Sequence, residues 1–179
     1  ELLKMAEKHL SEGATFLDLG GFSTRPGAVD VDEQTEQLRI QSALKQLKNE
    51  FPDALISVDT FRGKVARTAI DEGASMINDI SGFQFDDTLL DVLAVTKIPY
   101  VLMHVEGTFD TMHDITVSHD PDITERLTNY FEKKLTLLDE KGVKDVILDP
   151  GFGFSKTMDE NYELLHRMDE LHIFRKPLL

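Results

Sequence analysis

The stretch DLGGFSTRPGA, residues 18–28, directly follows the short apolar run Phe-Leu at residues 16–17. The apolar run is typical of a buried strand, and the glycines and proline that follow are typical of a loop with special backbone geometry. A carboxylate such as Asp18 is costly to bury at a strand exit unless it has a partner. The stretch therefore predicts a buried strand that leads into a loop able to close over a ligand.

Outside this stretch, short apolar runs alternate with apolar residues at helical spacing along the whole chain. The runs that predict strands are residues 16–19, 55–58, 76–80, 100–103 and 146–148, and residues 177–179 look like a further strand beginning. The helical patterns lie around residues 3–10, 40–51, 65–70, 89–94, 127–138 and 162–168. This alternation predicts repeated βαβ units and a parallel sheet.

Two α/β architectures fit a parallel sheet of this kind: a closed (β/α)₈ barrel and an open doubly wound sheet. The chain begins on a helix and ends on an incipient strand, which is out of phase with a complete barrel. We therefore predict one domain, residues 1–179, that is a TIM (β/α)₈ barrel truncated at both ends. It would contain about the second to sixth strands and the start of the seventh.

Composition excludes several classes of protein. The net charge of −14 opposes nucleic acid and anionic membranes as partners, so an anionic substrate would need a local basic patch. The longest apolar run, residues 98–105, is far shorter than the ~18 to 20 residues of a membrane-spanning helix. The absence of cysteine excludes disulfides and thiolate metal sites and agrees with a cytoplasmic location.

Polar side chains recur at the carboxyl ends of the predicted strands. They are Asp18, Asp59, Asn78 with Asp79, His104 and Asp149. The carboxyl ends of barrel strands converge on one mouth, where active sites lie, so this recurrence predicts a ligand site. Taken singly, Asp18 also fits a turn former, Asp79 a structural partner and His104 a core histidine.

A second loop, DPGFGFSK at residues 149–156, follows the same pattern as the first. A carboxylate ends the strand, glycines let the backbone approach a ligand, and Lys156 lies nearby. Its aromatic residues, Phe152 and Phe154, could cover a flat ring, although a core position is the favoured interpretation for Phe152. In the first loop Arg25 offers a planar fork for a carboxylate or phosphate.

The motifs DLGGFSTRPGA, SVDT, INDISG, LMH and LDPGFGFSKT, in this order, resemble the dihydropteroate synthase family of the folate pathway. The resemblance covers nearly the whole chain. It implies a barrel, usually a homodimer, that joins 6-hydroxymethyl-7,8-dihydropterin pyrophosphate to p-aminobenzoate and releases pyrophosphate with Mg²⁺ assistance. The Mg²⁺ ligand is expected upstream of Glu1, and none is expected within this chain.

The resemblance also assigns roles to individual positions. It implies pterin contacts by Asp59, Asn78, Ile80, Met103 and Asp149, and it places Thr24, Arg25, Pro26 and Phe154 around p-aminobenzoate and pyrophosphate. The family mechanism is dissociative, with pyrophosphate leaving before the arylamine attacks. Asp59 and Asp149 are therefore expected to be the catalytic residues, through stabilisation of the pterin cation.

Two residues depart from the family pattern, Phe22 and Phe109, so the resemblance does not give the shape of their loops. The family's first-strand Asn, seventh-loop Lys and final Arg and His have no counterpart in this chain, so residues 1–179 alone are expected to be inactive. Two alternatives stay open: a methyltetrahydrofolate-dependent methyltransferase domain and a non-catalytic pterin-binding paralogue.

Overall fold

The computed structural model describes residues 1–23, 31–114 and 122–179. Its helices are α1 (Leu2–Ser11), α2 (Glu33–Glu50), α3 (Gly63–Asp71), α4 (Thr88–Thr96), α5 (Ile123–Glu140) and α6 (Met158–His166), and a 3₁₀ helix (Met168–Phe174) follows α6. Its strands are β1 (Phe16–Gly20), β2 (Leu55–Asp59), β3 (Met76–Asp79), β4 (Tyr100–Met103) and β5 (Val146–Asp149). Within these ranges, none of the helices combines the length and the apolar character needed to cross a membrane.

The five strands form one parallel sheet in the order β1-β2-β3-β4-β5. A doubly wound sheet reverses its strand order at a switch point, and this sheet does not reverse. Leu178 adds a parallel bridge to Leu148, where the sequence predicts the next strand to begin. The prediction of a sector of a (β/α)₈ barrel is therefore confirmed, with strand ends that differ from the predicted ones by at most one residue.

The sheet has two chemically different faces, because successive side chains of a strand point to opposite sides. One face packs against the helices, and its residues include Leu17, Ile56, Val58, Ile77, Tyr100, Leu102, Val146 and Leu148. The other face, which lines the interior in a barrel, carries Asp18, Asp59, Asn78 and Asp149 together with apolar residues. At the amino-terminal end of this interior face, Phe16 and Leu55 are 44% and 43% exposed.

The chain after β5 differs from the prediction of one helix that contains Tyr162, Leu165 and Met168. Helix α6 ends at His166, and Met168 begins the 3₁₀ helix. The buried positions are Leu164 and Leu171, whereas Tyr162 and Leu165 are exposed. A capping box fixes the start of α6, because Oγ1 of Thr157 accepts from the Glu160 amide and the Glu160 carboxylate accepts from the Thr157 amide.

Candidate active site

The carboxyl ends of β1, β2 and β3 bring three polar side chains together on the interior face. Asp59, the last residue of β2, is in register with Asn78 on β3. Nδ2 of Asn78 donates to Oδ2 of Asp18 across 3.3 Å. Asp18 is the third residue of β1 rather than the residue that ends it, so its interpretation as a turn former is wrong. This hydrogen bond leaves the Oδ1 atom of Asn78 available as an acceptor.

Asp59 is the least satisfied carboxyl group of this set. It is partly buried, and among the described residues neither of its oxygens accepts a hydrogen bond. Burial, and after it the nearby carboxylates of Asp18, Asp79 and Glu36, together raise the pKa of Asp59 to about 7. The group therefore changes charge near neutral pH, and no described residue provides it with a hydrogen-bond donor.

Asp149 lies on the same face, at the end of β5. The row that joins Asp59 and Asn78 continues through Val101 to Ile147, and Asp149 is two residues further along its strand. Its Oδ1 atom accepts from the Gly151 amide at 2.8 Å, and its other oxygen has no hydrogen-bond partner in the described part of the chain. Burial raises the pKa of Asp149, opposed by the Gly151 amide and by the Lys156 charge. Asp149 thus presents an acceptor to the same interior space.

Asp79 faces the other way and has a structural role, as one of its two sequence interpretations predicts. Its side chain is fully buried, and its carboxylate accepts from the amides of Ser81 and Phe83 and from the hydroxyl of Tyr100. Asn78 and Asp79 are neighbours in sequence, but strand alternation sends one to the interior face and the other to the helices. Asp79 therefore holds the loop after β3 and does not reach the site.

Asp79→Asn is expected to lower the free energy of unfolding by about 2 to 4 kcal/mol, because the amide nitrogen cannot accept one of the three hydrogen bonds and leaves a buried donor unpaired. Urea unfolding of the variant measures the loss. Asp87→Asn, at an exposed position in the same loop, is the control and is expected to change stability by less than about 0.5 kcal/mol. Equal stabilities of the two variants would contradict the structural role.

His104, the residue after β4, is 2% exposed, which confirms the core position. Its ring meets Tyr130 edge to face at 4.8 Å. Burial lowers the pKa of His104 well below its ordinary value, and the charges of Lys156 and Arg126 act in the same direction, so the ring is neutral at pH 7. Its Nδ1 atom has no hydrogen-bond partner among the described residues.

An apolar wall lies beside the polar groups. It consists of Phe61, Ile80, Met103, Val105 and Met112, with Phe22, Phe85, Phe109 and Phe154 packed against them. Ile80 and Met103, for which pterin contacts are predicted, therefore share one surface. Phe154 also stacks on His113, with ring centroids 5.2 Å apart. No local sequence pattern predicts the positions of Phe61 and Phe85, which reach the wall from the loops after β2 and β3.

The two departures from the family pattern, Phe22 and Phe109, belong to this wall. Their ring centroids are 6.2 Å apart, and both rings contact Phe61, at 6.2 and 5.3 Å. The loops after β1, β2 and β4 are thus joined by aromatic packing. Phe22 and Phe109 therefore lie in one aromatic cluster with Phe61.

Phe152 is 38% exposed, so the interpretation of this residue as part of the core is wrong. It lies between Gly151 and Gly153, which have φ angles of +69° and +80°. These left-handed residues reverse the chain on both sides of Phe152 and turn its ring outward.

A buried ion pair that the sequence patterns did not predict lies beside the site. Glu36, on α2, is fully buried and accepts from Oγ1 of Thr60 at 2.7 Å and from Nη1 of Arg62 at 2.6 Å. The Arg62 guanidinium lies 5.2 Å from the ring centroids of both Phe22 and Phe61. Glu36 falls at helical spacing with Ile40, Leu44 and Leu47, and a charge in that apolar stripe was the available signal.

Thr24, Arg25 and Pro26 lie outside the described residues. In the ranges 1–23, 31–114 and 122–179, no group of three or more His, Asp and Glu side chains is arranged to hold a metal ion.

The chain resembles known proteins along its whole length. It is 44% identical over 167 residues to the folic acid synthesis protein fol1 of Pneumocystis carinii, covering 92% of this chain and 22% of that protein. It is 36% identical over 181 residues to the dihydropteroate synthase of Escherichia coli, covering 100% of this chain and 63% of that enzyme. The chain therefore spans less than two thirds of the length of either relative.

A solved structure of dihydropteroate synthase from Clostridium difficile, in the presence of pteroic acid, superposes with a TM-score of 0.90 at 34% identity, covering 98% of this chain and 64% of that one. The family described as pterin binding enzyme matches residues 1–179. Together with the barrel sector and the polar groups on its interior face, this match places the chain in the pterin binding enzyme family.

Proposed function

We propose that this chain carries the pterin site of a dihydropteroate synthase, a transferase that joins 6-hydroxymethyl-7,8-dihydropterin pyrophosphate to p-aminobenzoate in folate biosynthesis. The observation that carries the proposal is Asp59, a partly buried carboxyl group on the interior face without a hydrogen-bond partner among the described residues and with its pKa raised to about 7. The relative from Clostridium difficile supports it, since pteroic acid contains a pterin joined to p-aminobenzoate.

The free polar atoms match the edges of a pterin ring. Within the described ranges, Asp149 has one oxygen without a hydrogen-bond partner and one with a single amide donor, so its carboxylate can accept two parallel N–H bonds from the aminopyrimidine edge. Asn78 offers its Oδ1 atom, because its amide nitrogen already donates to Asp18. Ile80 and Met103 supply an apolar surface for the flat ring. The pterin would lie between these groups.

The same groups suit a reaction in which positive charge develops on the pterin. When pyrophosphate leaves, the ring becomes a cation that the arylamine attacks. The carboxylates of Asp59 and Asp149 would stabilise that charge, and the phenylalanine-rich wall would limit the access of water. A bound cation would also lower the pKa of Asp59 and keep it ionised at neutral pH.

Other parts of the proposal come from the resemblance alone. They are the enclosure of p-aminobenzoate and pyrophosphate by Thr24, Arg25, Pro26 and Phe154, a homodimer, a cytoplasmic location, and small molecules rather than nucleic acid or membranes as partners. Mg²⁺ belongs to this group as well. The described residues gather no cluster that fits the ion, so none of the steps above passes through it.

The proposal is tested on the intact protein by pyrophosphate release from the pterin pyrophosphate, with and without p-aminobenzoate. Release that depends on p-aminobenzoate is the expected result. Calorimetry with the pterin pyrophosphate and with methyltetrahydrofolate then separates the alternatives. Binding of the former without turnover would indicate a non-catalytic paralogue, and preference for methyltetrahydrofolate would indicate a methyltransferase domain; either outcome contradicts the proposal.

A further inference from the structure

The ammonium group of Lys156 is buried at the base of the loop that follows β5. The residue is 5% exposed, and its Nζ atom donates to the carbonyl oxygens of Gly151 at 2.8 Å, Phe154 at 3.1 Å and His104 at 3.4 Å. An ammonium group has three donors and no acceptor. All three protons therefore have carbonyl partners.

These carbonyls belong to two different loops. Gly151 and Phe154 lie in the loop that begins at Asp149, whereas His104 is the first residue after β4. The two loops are also joined by Ser155, whose amide donates to the Met112 carbonyl at 3.0 Å and whose Oγ accepts from the Glu106 amide at 2.9 Å. Lys156 contributes the positive charge among the groups that join these two loops.

Titratable groups face Lys156 from every neighbouring element. They are His104 and Glu106 after β4, Asp149 at the end of β5, Arg126 on α5 and Glu160 on α6. Burial lowers the pKa of Lys156 to about 8, although Glu106, Asp149 and Glu160 act to raise it. The positive charge of Arg126 also lowers the pKa of Lys156. Arg126 pairs with Glu106 at 3.0 Å and with Glu160 at 2.7 Å, so these two carboxylates stabilise the Lys156 ammonium group less than unpaired carboxylates would. The Lys156 ammonium group is therefore buried at a cost in solvation free energy.

We propose that Lys156 is a positioning residue whose ammonium group holds the backbone of residues 151–154 against the loop after β4, so that Asp149 and Phe154 face the pterin and p-aminobenzoate. The proposal rests on the proposed function for the identity of the ligands, and Lys156 itself touches neither. A neutral amine has one donor fewer, so one carbonyl loses its partner when Lys156 deprotonates. The positive charge also favours the ionised form of Asp149.

The first test needs no ligand. Amide hydrogen exchange, corrected for its intrinsic pH dependence, is measured between pH 7 and pH 9.5 at Gly151, Gly153, Phe154 and Ser155, whose amides have hydrogen-bond acceptors. In the wild type, protection is expected to fall several-fold as pH passes about 8. Lys156→Met is expected to show weak protection at every pH, and Lys133→Met, at an exposed position on α5, is expected to match the wild type.

The second test measures pterin binding and turnover by the intact protein. Lys156→Met is expected to lower turnover by about 10- to 100-fold, the scale of a misplaced reacting group. Pterin affinity is expected to fall at low pH as Asp149 becomes protonated, and this fall is the acid limb of the binding curve. In Lys156→Met the acid limb is expected to move to higher pH, because a positive charge beside that carboxylate has been removed. A structural role alone would not move this limb.

The outcomes separate the two proposals. If pterin binds to the wild type but loop protection and turnover do not respond to Lys156, the positioning role is overturned and the function stands. If the protection of the loop amides responds to Lys156 but the wild type binds no pterin, the positioning role of Lys156 stands and the proposed function fails. Should Lys156→Met fail to fold, an NMR titration of wild-type Lys156 decides: loop amide shifts that titrate with it near pH 8 support the role, and titration above pH 10 overturns it.

Discussion

Asp59→Asn is expected to lower the turnover of the intact protein by about 100-fold or more, the scale of losing one preorganised electrostatic group. Asparagine keeps the size of the side chain but supplies no negative charge to a pterin cation. Steady-state pyrophosphate release measures the effect. Asp53→Asn, at an exposed position before β2, is the matched control and is expected to retain wild-type turnover. Unchanged turnover in Asp59→Asn would remove Asp59 from the mechanism.

The same substitution is expected to change the pH dependence of stability. The folded-state pKa of Asp59, about 7, is above the ordinary value of 3.8, so the native state binds the proton more tightly than the unfolded state. This contribution to stability is fully present below about pH 4 and is lost as pH rises through about 7. About three pKa units correspond to as much as about 4 kcal/mol.

Asp59→Asn should therefore gain stability relative to the wild type as pH rises from 4 to 8. Urea unfolding of both proteins across this range measures the difference. Parallel stability curves for the wild type and the variant would show that Asp59 has an ordinary pKa, and the electrostatic description of the site would then be wrong.

Gly151→Ala is expected to have the second largest effect. A Cβ atom at Gly151 would lie 2.1 Å from the carbonyl oxygen of His104, and the φ angle of +69° disfavours any side chain. The loop after β5 must then move away from the loop after β4, which displaces Asp149. We expect a loss of more than about 3 kcal/mol in unfolding free energy and at least about tenfold weaker pterin binding.

Gly153→Ala is a closely matched control for this prediction. Gly153 also has a left-handed φ angle, +80°, but apart from its own chain neighbours no described residue has an atom within 4 Å of the position that its Cβ would occupy. It is expected to cost only the backbone strain, about 1 to 2 kcal/mol. If the two variants lose equal stability and affinity, contact between the two loops is not what fixes the site.

The strands and the convergence of their polar ends could be predicted from the sequence, because both depend on local patterns. Apolar runs mark buried strands, and parallel strands place their carboxyl ends at one edge. The different roles of Asn78 and Asp79 could not be predicted. The two residues point to opposite faces, and only the register against β2 and β4 shows which face meets the helices.

The remaining errors and omissions involve contacts between distant parts of the chain. Lys156 is close to Asp149 in sequence, but its role depends on His104, 52 residues away. Glu36 is paired by Thr60 and Arg62 from the next βα unit. Phe152 is exposed because two left-handed glycines turn it outward, and glycine alone does not reveal the sign of its φ angle.

The central claim is that Asp59, Asn78 and Asp149 surround one planar heterocycle on the interior face of the sheet. A crystal structure of the intact protein with 6-hydroxymethylpterin tests it most directly. We expect a ring against Ile80 and Met103, with two N–H groups donating to Asp149 and with Asp59 and Asn78 at hydrogen-bond distance. A pterin bound elsewhere, or bound here without contact to Asp149, would contradict it.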